Sequence, residues 1–537
     1  MQSWIVLIPP VITLIIAFIS KKVKTSLVLG IFSAALITEK YSILQAIKKS
    51  ILQTWKTSQI QNFLTGQGSI DTVYMFVFLI ILGGLVALMN RTGGACAYGS
   101  IIKKKLKDAR TTETASLLLS LTLFIDDYLN TLTVGCIMRP LTDTFKIPRV
   151  KLAFLIDAMA APLVILMPVS SWVAVITGQL NQSGVSDNLA DNPVIFADPF
   201  YTYVLIIPFV FYSFIIIGTC WFVVRRRISF GLMGHHESIA QKTGNLFGGK
   251  EAVSDRICPI DTNDGNLLDF FFPIITLVLT VIMGLQYSGK SIIFGGPNNL
   301  FKAFQAGSIF PVLFWAGFIT LALSLAIALI RKKIPYQSSI NILIEGFMLM
   351  APSILILLLA WSFSGLLKDL NTGQYIAHLL IGSLRGAWLP FIFFVTSAII
   401  SITIGSSWGT VAIMIPLVIP MLIEFFGVPI PTTIPNLPLF LPSLGAILSG
   451  AVAGDHVSPI SDTTIMSSTS SGSHHLDHVR TQWGYAIPAF IGTAVAFIVG
   501  GFTTDWLILR SLALSLGSGL ITCFAILLIL NNTNNKS

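Results

Sequence analysis

The chain has 537 residues, of which 54% are hydrophobic and 11% charged, with a net charge of +9 and a mean hydropathy of +0.81. Soluble domains carry about 25% charged residues, so a soluble enzyme is excluded and a polytopic membrane protein is indicated. The positive balance does not point to nucleic acid, because the lysines and arginines cluster in short blocks between apolar runs, as cytoplasmic loops of membrane proteins do.

A membrane-spanning helix needs about 20 apolar residues. The first run, 4–20, is followed by Lys21-Lys22-Val23-Lys24 and lacks a basic leader and a small-residue cleavage site, so it reads as a retained helix rather than a signal peptide. A short run at 26–38 follows, then an interfacial helix over 39–60 with lysines on one side, then a span at 73–90. Further spans are expected at 152–178, 203–224, 267–286, 309–330, 342–367, 441–470, 485–502 and 507–530. The polar segment 225–266 is too poor in apolar residues to form a domain of its own. The fold class expected is an all-α polytopic membrane protein with about 11–13 transmembrane segments, a single transmembrane domain over 1–537.

Two apolar stretches, 113–138 and 390–426, need separate treatment. Basic blocks at Lys21–Lys24, Lys103–Arg110, Arg139–Lys151, Arg225–Arg227, Arg331–Lys333 and around Arg480 mark the cytoplasmic side, whereas loops 179–200 and 427–440 contain no lysine or arginine. Both flanks of 113–138 are therefore cytoplasmic and both flanks of 390–426 external. Re-entrant hairpins satisfy this; plain spans would require a misplaced block. The two stretches also align without gaps. Asn130 to Leu141 lies on Ser406 to Leu417, with Ile, Met, Pro and Leu shared at the same places. Each is followed by an apolar segment interrupted by a similar phrase, Pro168-Val169-Ser170-Ser171 or Pro459-Ile460-Ser461-Asp462. The expectation is two inverted repeats, 73–227 and 309–502, joined through a cytoplasmic loop at 228–266, each repeat with a hairpin and a broken helix. That is the architecture of a secondary transporter.

Polar groups buried at mid-membrane cost several kcal/mol unless satisfied. The phrase Asp455-His456-Val457-Ser458-Pro459-Ile460-Ser461-Asp462-Thr463-Thr464 sits within apolar chain, and Pro459 removes a helical hydrogen bond. Carboxylates, hydroxyls and bare carbonyls suit a hard cation. Asp157 is the one charge in a run of nearly thirty residues, and Asp126 and Asp127 are adjacent within the first hairpin. Two neighbouring aspartates cannot both be buried, ionised and unpaired, so one is expected to face the site while the other caps a helix or pairs. Asp157, Asp455 and Asp462 are the expected cation ligands, with Asn130, Thr131, Ser407, Ser458 and Thr463 assisting. His456 hydrogen-bonds an aspartate, titrates near neutrality, or simply packs. His474, His475, Asp477 and His478 read as a solvated loop. The cysteines Cys96, Cys136, Cys220, Cys258 and Cys523 are scattered, so neither a disulfide framework nor a zinc site is indicated. No phosphate-cradling motif is present, and no cofactor is expected.

The phrases Asp126 to Thr131, Pro168 to Trp172, Gly405 to Thr410 and Gly454 to Thr464 resemble those of the NhaC-type sodium/proton antiporter family, within a broader ion-transporter superfamily. The resemblance spans about 120–490 and implies a multi-pass carrier of the bacterial inner membrane that exchanges sodium for protons, with a homodimer as a candidate assembly. Relatives that exchange malate and lactate alongside these ions make organic-acid exchange the alternative. The superfamily's dicarboxylate carriers use Ser-Asn-Thr at both hairpin tips. Here the tips read Leu129-Asn130-Thr131 and Ser406-Ser407-Trp408, a departure that speaks against that type of substrate site.

Overall fold

The computed structural model describes all residues except 1–3, 21, 95–96, 98–105, 190–191, 253–264, 382–383, 504–506 and 535–537. Part of the expected basic block Lys103–Arg110 therefore lies outside the described residues, as do Cys96 and Cys258. Cys136 is disulfide-bonded, a bond that the scattered sequence spacing does not indicate, because spacing does not report proximity in the fold. Cys220 and Cys523 are free and buried.

Helices dominate. The strands β1 (Val185–Ser186) and β2 (Ile195–Phe196) have two residues each and pair in parallel. The N-terminal helices are α1 (Ile8–Ser20), α2 (Val23–Thr38), α3 (Ile43–Ser58), α4 (Ile60–Thr65) and α5 (Asp71–Arg91). Ile43, Leu44, Ile47, Ile51 and Leu52 of α3 are exposed, the one-sided apolar stripe expected of an interfacial helix.

Next come α6 (Ala109–Thr122), α7 (Asp127–Thr144), α8 (Arg149–Val164), α9 (Ser171–Gln182), α10 (Pro199–Ile206), α11 (Phe211–Arg226) and α12 (Gly231–Thr243). The central helices are α13 (Leu267–Ser288), α14 (Leu300–Gln305), α15 (Ile309–Ile330), α16 (Ser338–Asp369) and α17 (Thr372–Leu380). The last group is α18 (Leu389–Ile404), α19 (Ser407–Phe426), α20 (Phe440–Asp455), α21 (Asp462–Ser471), α22 (His475–Phe502) and α23 (Ile508–Asn534).

Among the described residues, eight helices are long and apolar enough to cross a membrane, or nine if the pair Pro199–Phe209 and Phe211–Thr243, bent by 48°, is one span. The larger number expected from sequence counts apolar runs that the fold breaks into pieces. Run 152–178 becomes α8 and α9, and run 441–470 becomes α20 and α21.

Burial sorts these helices into layers. Every residue of α8 is buried, and nearly every residue of α20. By contrast, α16 exposes Ile340, Leu343, Ile344, Phe347 and Met348, and α23 exposes Leu509, Ile521 and Ile529. Apolar side chains left outward on an otherwise packed helix face lipid, so α8 and α20 form the inside of the bundle. Small residues let the inner helices approach closely. A Cβ on Gly450 or Gly454 of α20 would meet the carbonyl oxygens of Phe394 or Ala398 of α18 at 2.3 Å, a close packing that only glycine permits.

The outer ends of the two helix pairs, α6–α7 and α18–α19, meet different groups. Beside α6, Lys151 pairs with Glu113 (2.8 Å) and Glu237 (2.5 Å), and Arg227 pairs with Glu113 (2.8 Å). Arg110 donates to the Arg225 carbonyl there. The basic blocks that sequence assigns to the cytoplasm thus meet, and α6 and α7 both have their outer ends among them. In the second pair, Gly386 before α18 packs on Phe425 and Phe426 at the end of α19. The lysine-free loops bond to each other, Phe196 N to Thr432 O at 2.7 Å and Thr432 N to Val194 O at 3.1 Å.

Candidate functional site

Four breaks in helices build the centre. Between α6 and α7 the chain leaves helix at Leu123, and Asp126 restarts it as N-cap, its Oδ1 accepting from Leu129 N at 2.9 Å. Between α18 and α19, Gly405 adopts φ +68°, a left-handed conformation that ends a helix at little cost only for glycine. Ser406 then caps α19 by accepting from Gly409 N at 3.3 Å. Between α8 and α9 the Ser170 hydroxyl donates to the carbonyls of Val164 and Met167. Between α20 and α21 Ser461 accepts from Thr464 N at 3.3 Å. Caps of this kind satisfy the free backbone groups of a helix end, which is what makes interrupted helices tolerable inside a membrane.

Hydrogen bonds lock each hairpin onto the neighbouring break. Ser171 N donates to Ile125 O at 2.8 Å. In the other half, Ser458 Oγ donates to Ile402 O at 2.8 Å and Ser401 Oγ to Ala451 O at 2.6 Å. The halves also join across the centre, where Ser470 Oγ of α21 donates to Thr131 O of α7 at 2.9 Å.

A cavity of about 20 Å³ lies where these breaks converge, lined by Asp127, Tyr128, Ile356, Gly405, Ser406, Ser407, Trp408, Asp455, Asp462 and Thr463. A single water needs about 10–15 Å³, so the space suits one small particle. Asp127 and Asp462 sit in the first turns of α7 and α21, where the helix dipole favours negative charge. Asp455 closes the C-terminus of α20, the end at which free carbonyls favour a cation. Its Oδ2 accepts from Thr463 Oγ1 at 2.7 Å. Ser407 Oγ has no partner among the described residues. Trp172 Nε1 donates to Asp127 Oδ2 at 3.2 Å, and Trp172 meets Trp408 edge to face with centroids 6.0 Å apart.

Asp157 lies outside the cavity lining, in a second polar group that adjoins it. It is fully buried. Its Oδ2 accepts from Thr464 Oγ1 at 2.9 Å and Gln482 Nε2 at 2.6 Å, while Oδ1 has no partner among the described residues. Gln482 Nε2 also donates to His456 O at 2.7 Å, and Gln482 Oε1 meets His478 Nε2 at 2.9 Å. Asp157 and Asp127 are both within electrostatic reach of Asp455.

The expected site residues therefore divide. Asp127, Ser407, Asp455, Asp462 and Thr463 share the cavity, and Asp157 adjoins it through neighbouring hydroxyls, Thr463 on Asp455 and Thr464 on Asp157. Asp126 serves as the cap of α7, and Asp127 lines the cavity. Asn130 turns back to donate to Ser120 O and Leu123 O, Thr131 to donate to Asp127 O, and Ser458 to donate to Ile402 O. His456 bonds through Nδ1 to Tyr212 OH at 3.1 Å rather than to an aspartate. His474, His475, Asp477 and His478 are not a solvated loop: they begin α22, and His478 is fully buried. Sequence alone misses Gln482 and Tyr212, whose helices meet the centre only by packing.

The profile of the Na+/H+ antiporter family matches residues 163–502. An uncharacterized protein of Haemophilus influenzae is 30% identical over 500 residues, covering 93% of this chain and 91% of its own. The malate-2H(+)/Na(+)-lactate antiporter of Bacillus subtilis is 32% identical over 194 residues, 35% of this chain and 37% of its own. Among solved structures, the Alcanivorax borkumensis YdaH transporter is similar at 17% identity and a TM-score of 0.41, covering 85% of this chain and 89% of that one. With its membrane-crossing helices and the match over most of its length, the chain is a multi-pass membrane protein of the Na+/H+ antiporter family, a secondary transporter and not an enzyme.

Proposed function

We propose that the protein exchanges sodium for protons across the bacterial inner membrane by alternating access. The observation that carries this reading is the cavity of about 20 Å³ between Asp127, Asp455, Asp462, Thr463 and Ser407. It offers carboxylates and hydroxyls to one small particle and is too tight for an organic acid. Hard oxygen ligands suit sodium, and an ionised carboxylate can hold either the cation or a proton, not both. Asp157, with one oxygen unpartnered and Thr464 and Gln482 on the other, is the adjoining proton-accepting carboxylate. The helix pairs α6–α7 and α18–α19, each broken near the cavity and each followed by a second interrupted helix, support a reading as two inverted repeats.

Proteoliposomes with an acidic lumen and an internal pH dye test the reading. Sodium alone should alkalinise the lumen, and Asp455→Asn and Asp157→Asn should abolish the response while retaining the fold. Full exchange by both variants would sink the assignment. A second reading, organic-acid exchange coupled to the same ions, draws on the 194-residue similarity to the malate-2H(+)/Na(+)-lactate antiporter. Silence with sodium alone and a response once malate or lactate is present would move the protein to that class.

A further inference from the structure

From Asp157 a buried polar chain runs toward the end of the bundle where the basic blocks gather. Gln482, His478 and Ser468 are each at most 2% exposed, and His475 at the start of α22 is half-buried. Ser468 Oγ lies 2.8 Å from His478 Nδ1 and 3.0 Å from His475 Nδ1. The outer nitrogens meet oxygens: His478 Nε2 meets Gln482 Oε1 at 2.9 Å, and His475 Nε2 meets Pro459 O at 2.7 Å.

Counting hydrogens constrains the charge of this group. Gln482 Nε2 faces two acceptors, Asp157 Oδ2 and His456 O, so Oε1 is the amide's oxygen and can only accept. His478 Nε2 must donate to it, and His475 Nε2 must donate to the Pro459 carbonyl. If both rings were neutral, both Nδ1 atoms would present lone pairs to Ser468. One hydroxyl has one hydrogen, and the Thr464 carbonyl at 2.7 Å competes for it as well. A single further proton resolves the conflict. One Nδ1–H then donates to Ser468 Oγ, and the hydroxyl hydrogen donates to the other Nδ1.

We propose that His475, Ser468 and His478 hold one excess proton in common and form the cytoplasmic entry of the proton path to Asp157. The shift within the trio is balanced. The N–H bond of His475 breaks as an O–H bond forms at Ser468, while the former O–H proton bonds to His478 Nδ1. Positive charge moves from the half-buried ring to the buried one with no net change. There it lies one amide from Asp157.

Burial by itself works against a charge on His478, so the charged groups around the trio matter. On α22 itself Asp477 is held by Lys250 at 2.7 and 2.8 Å, and His474 Nε2 meets Glu251 O. Glu237 of α12 is paired with Lys151 of α8, and Asp143 of α7 with Arg149, which also donates to Ser471 O. The groups nearer the centre are Asp157 of α8, Tyr212 of α11, Asp455 and His456 at the end of α20, and Asp462 of α21; α18 carries no titratable side chain. Carboxylates outnumber cations on that inner side.

The inference rests on the antiport reading for its purpose but not for its test. Nitrogen-15 histidine NMR of the full chain in nanodiscs at about pH 8, where a solvated imidazole with its usual value near 6.5 is neutral, should retain one doubly protonated ring. His475→Gln should remove it, and so should Ser468→Ala, which leaves both rings free to be neutral. Absence of any imidazolium in the unmodified protein, or its survival in Ser468→Ala, overturns the proposal. In proteoliposomes both variants should move the pH dependence of exchange by about one pH unit; unaltered profiles also overturn it. An imidazolium present in a chain that exchanges no cation would refute the antiport reading alone.

Discussion

Replacing Thr463 by valine keeps the volume beside Asp455 and deletes one oxygen. That hydroxyl donates to Asp455 Oδ2 at 2.7 Å and lines the cavity. A hydrogen bond to a charged group contributes about 1.5–3 kcal/mol, and Asp455 is only 3% exposed, so water does not replace it freely. Without the bond the ionised carboxylate is less stable relative to the protonated one, and sodium competes less well with protons. At about 1.4 kcal/mol per factor of ten, the sodium concentration giving half-maximal exchange should rise about 10- to 100-fold. Thr463→Ser, which keeps the hydroxyl, should stay close to the parent. The assay is sodium-dependent dequenching of a pH dye in proteoliposomes over a sodium titration at fixed pH. An unchanged half-saturation in Thr463→Val, with normal reconstitution, would refute a cation site built on Asp455 and Thr463.

Three further outcomes are expected. Lys151→Met leaves the buried Glu113 with Arg227 alone and should destabilise the protein by about 3–5 kcal/mol, read as a lowered thermal midpoint in detergent that Glu113→Gln in the same chain partly restores. Gly405→Ala places a Cβ 2.7 Å from the Ile460 carbonyl oxygen at φ +68°, a conformation costing an L-residue about 1–2 kcal/mol; exchange should fall about tenfold or more while expression persists. Just before α10, burial pushes the Asp198 carboxyl up to about 7, with Asp187 adding repulsion. The folded chain therefore holds this proton more tightly than the unfolded one, and stability falls as pH rises from about 4 through about 7. Asp198→Asn should match the parent's thermal midpoint at about pH 4 and exceed it at about pH 8.

Much of the architecture was legible because lipid imposes simple rules. Apolar runs must be helical, basic loops stay on one side, and a polar phrase inside such a run must serve a purpose. These rules placed the breaks at Asp126, Gly405 and Asp455–Asp462, and grouped the basic blocks 103–110, 139–151 and 225–227, residues of which meet in the structure. They also found the five cavity-lining residues Asp127, Ser407, Asp455, Asp462 and Thr463. Tertiary structure alone decided how polar groups pair. Asp157 meets Thr464 and Gln482 at sequence separations above 300, and Asn130 and Ser458 spend their hydrogen bonds on backbone. His478, in a stretch that reads as solvated, is drawn inward as α22 packs beside α21. Hydropathy depends on what each segment is made of, and so survives in one dimension. Hydrogen-bond partners depend on which helix faces arrive together, and that is settled only when the helices pack.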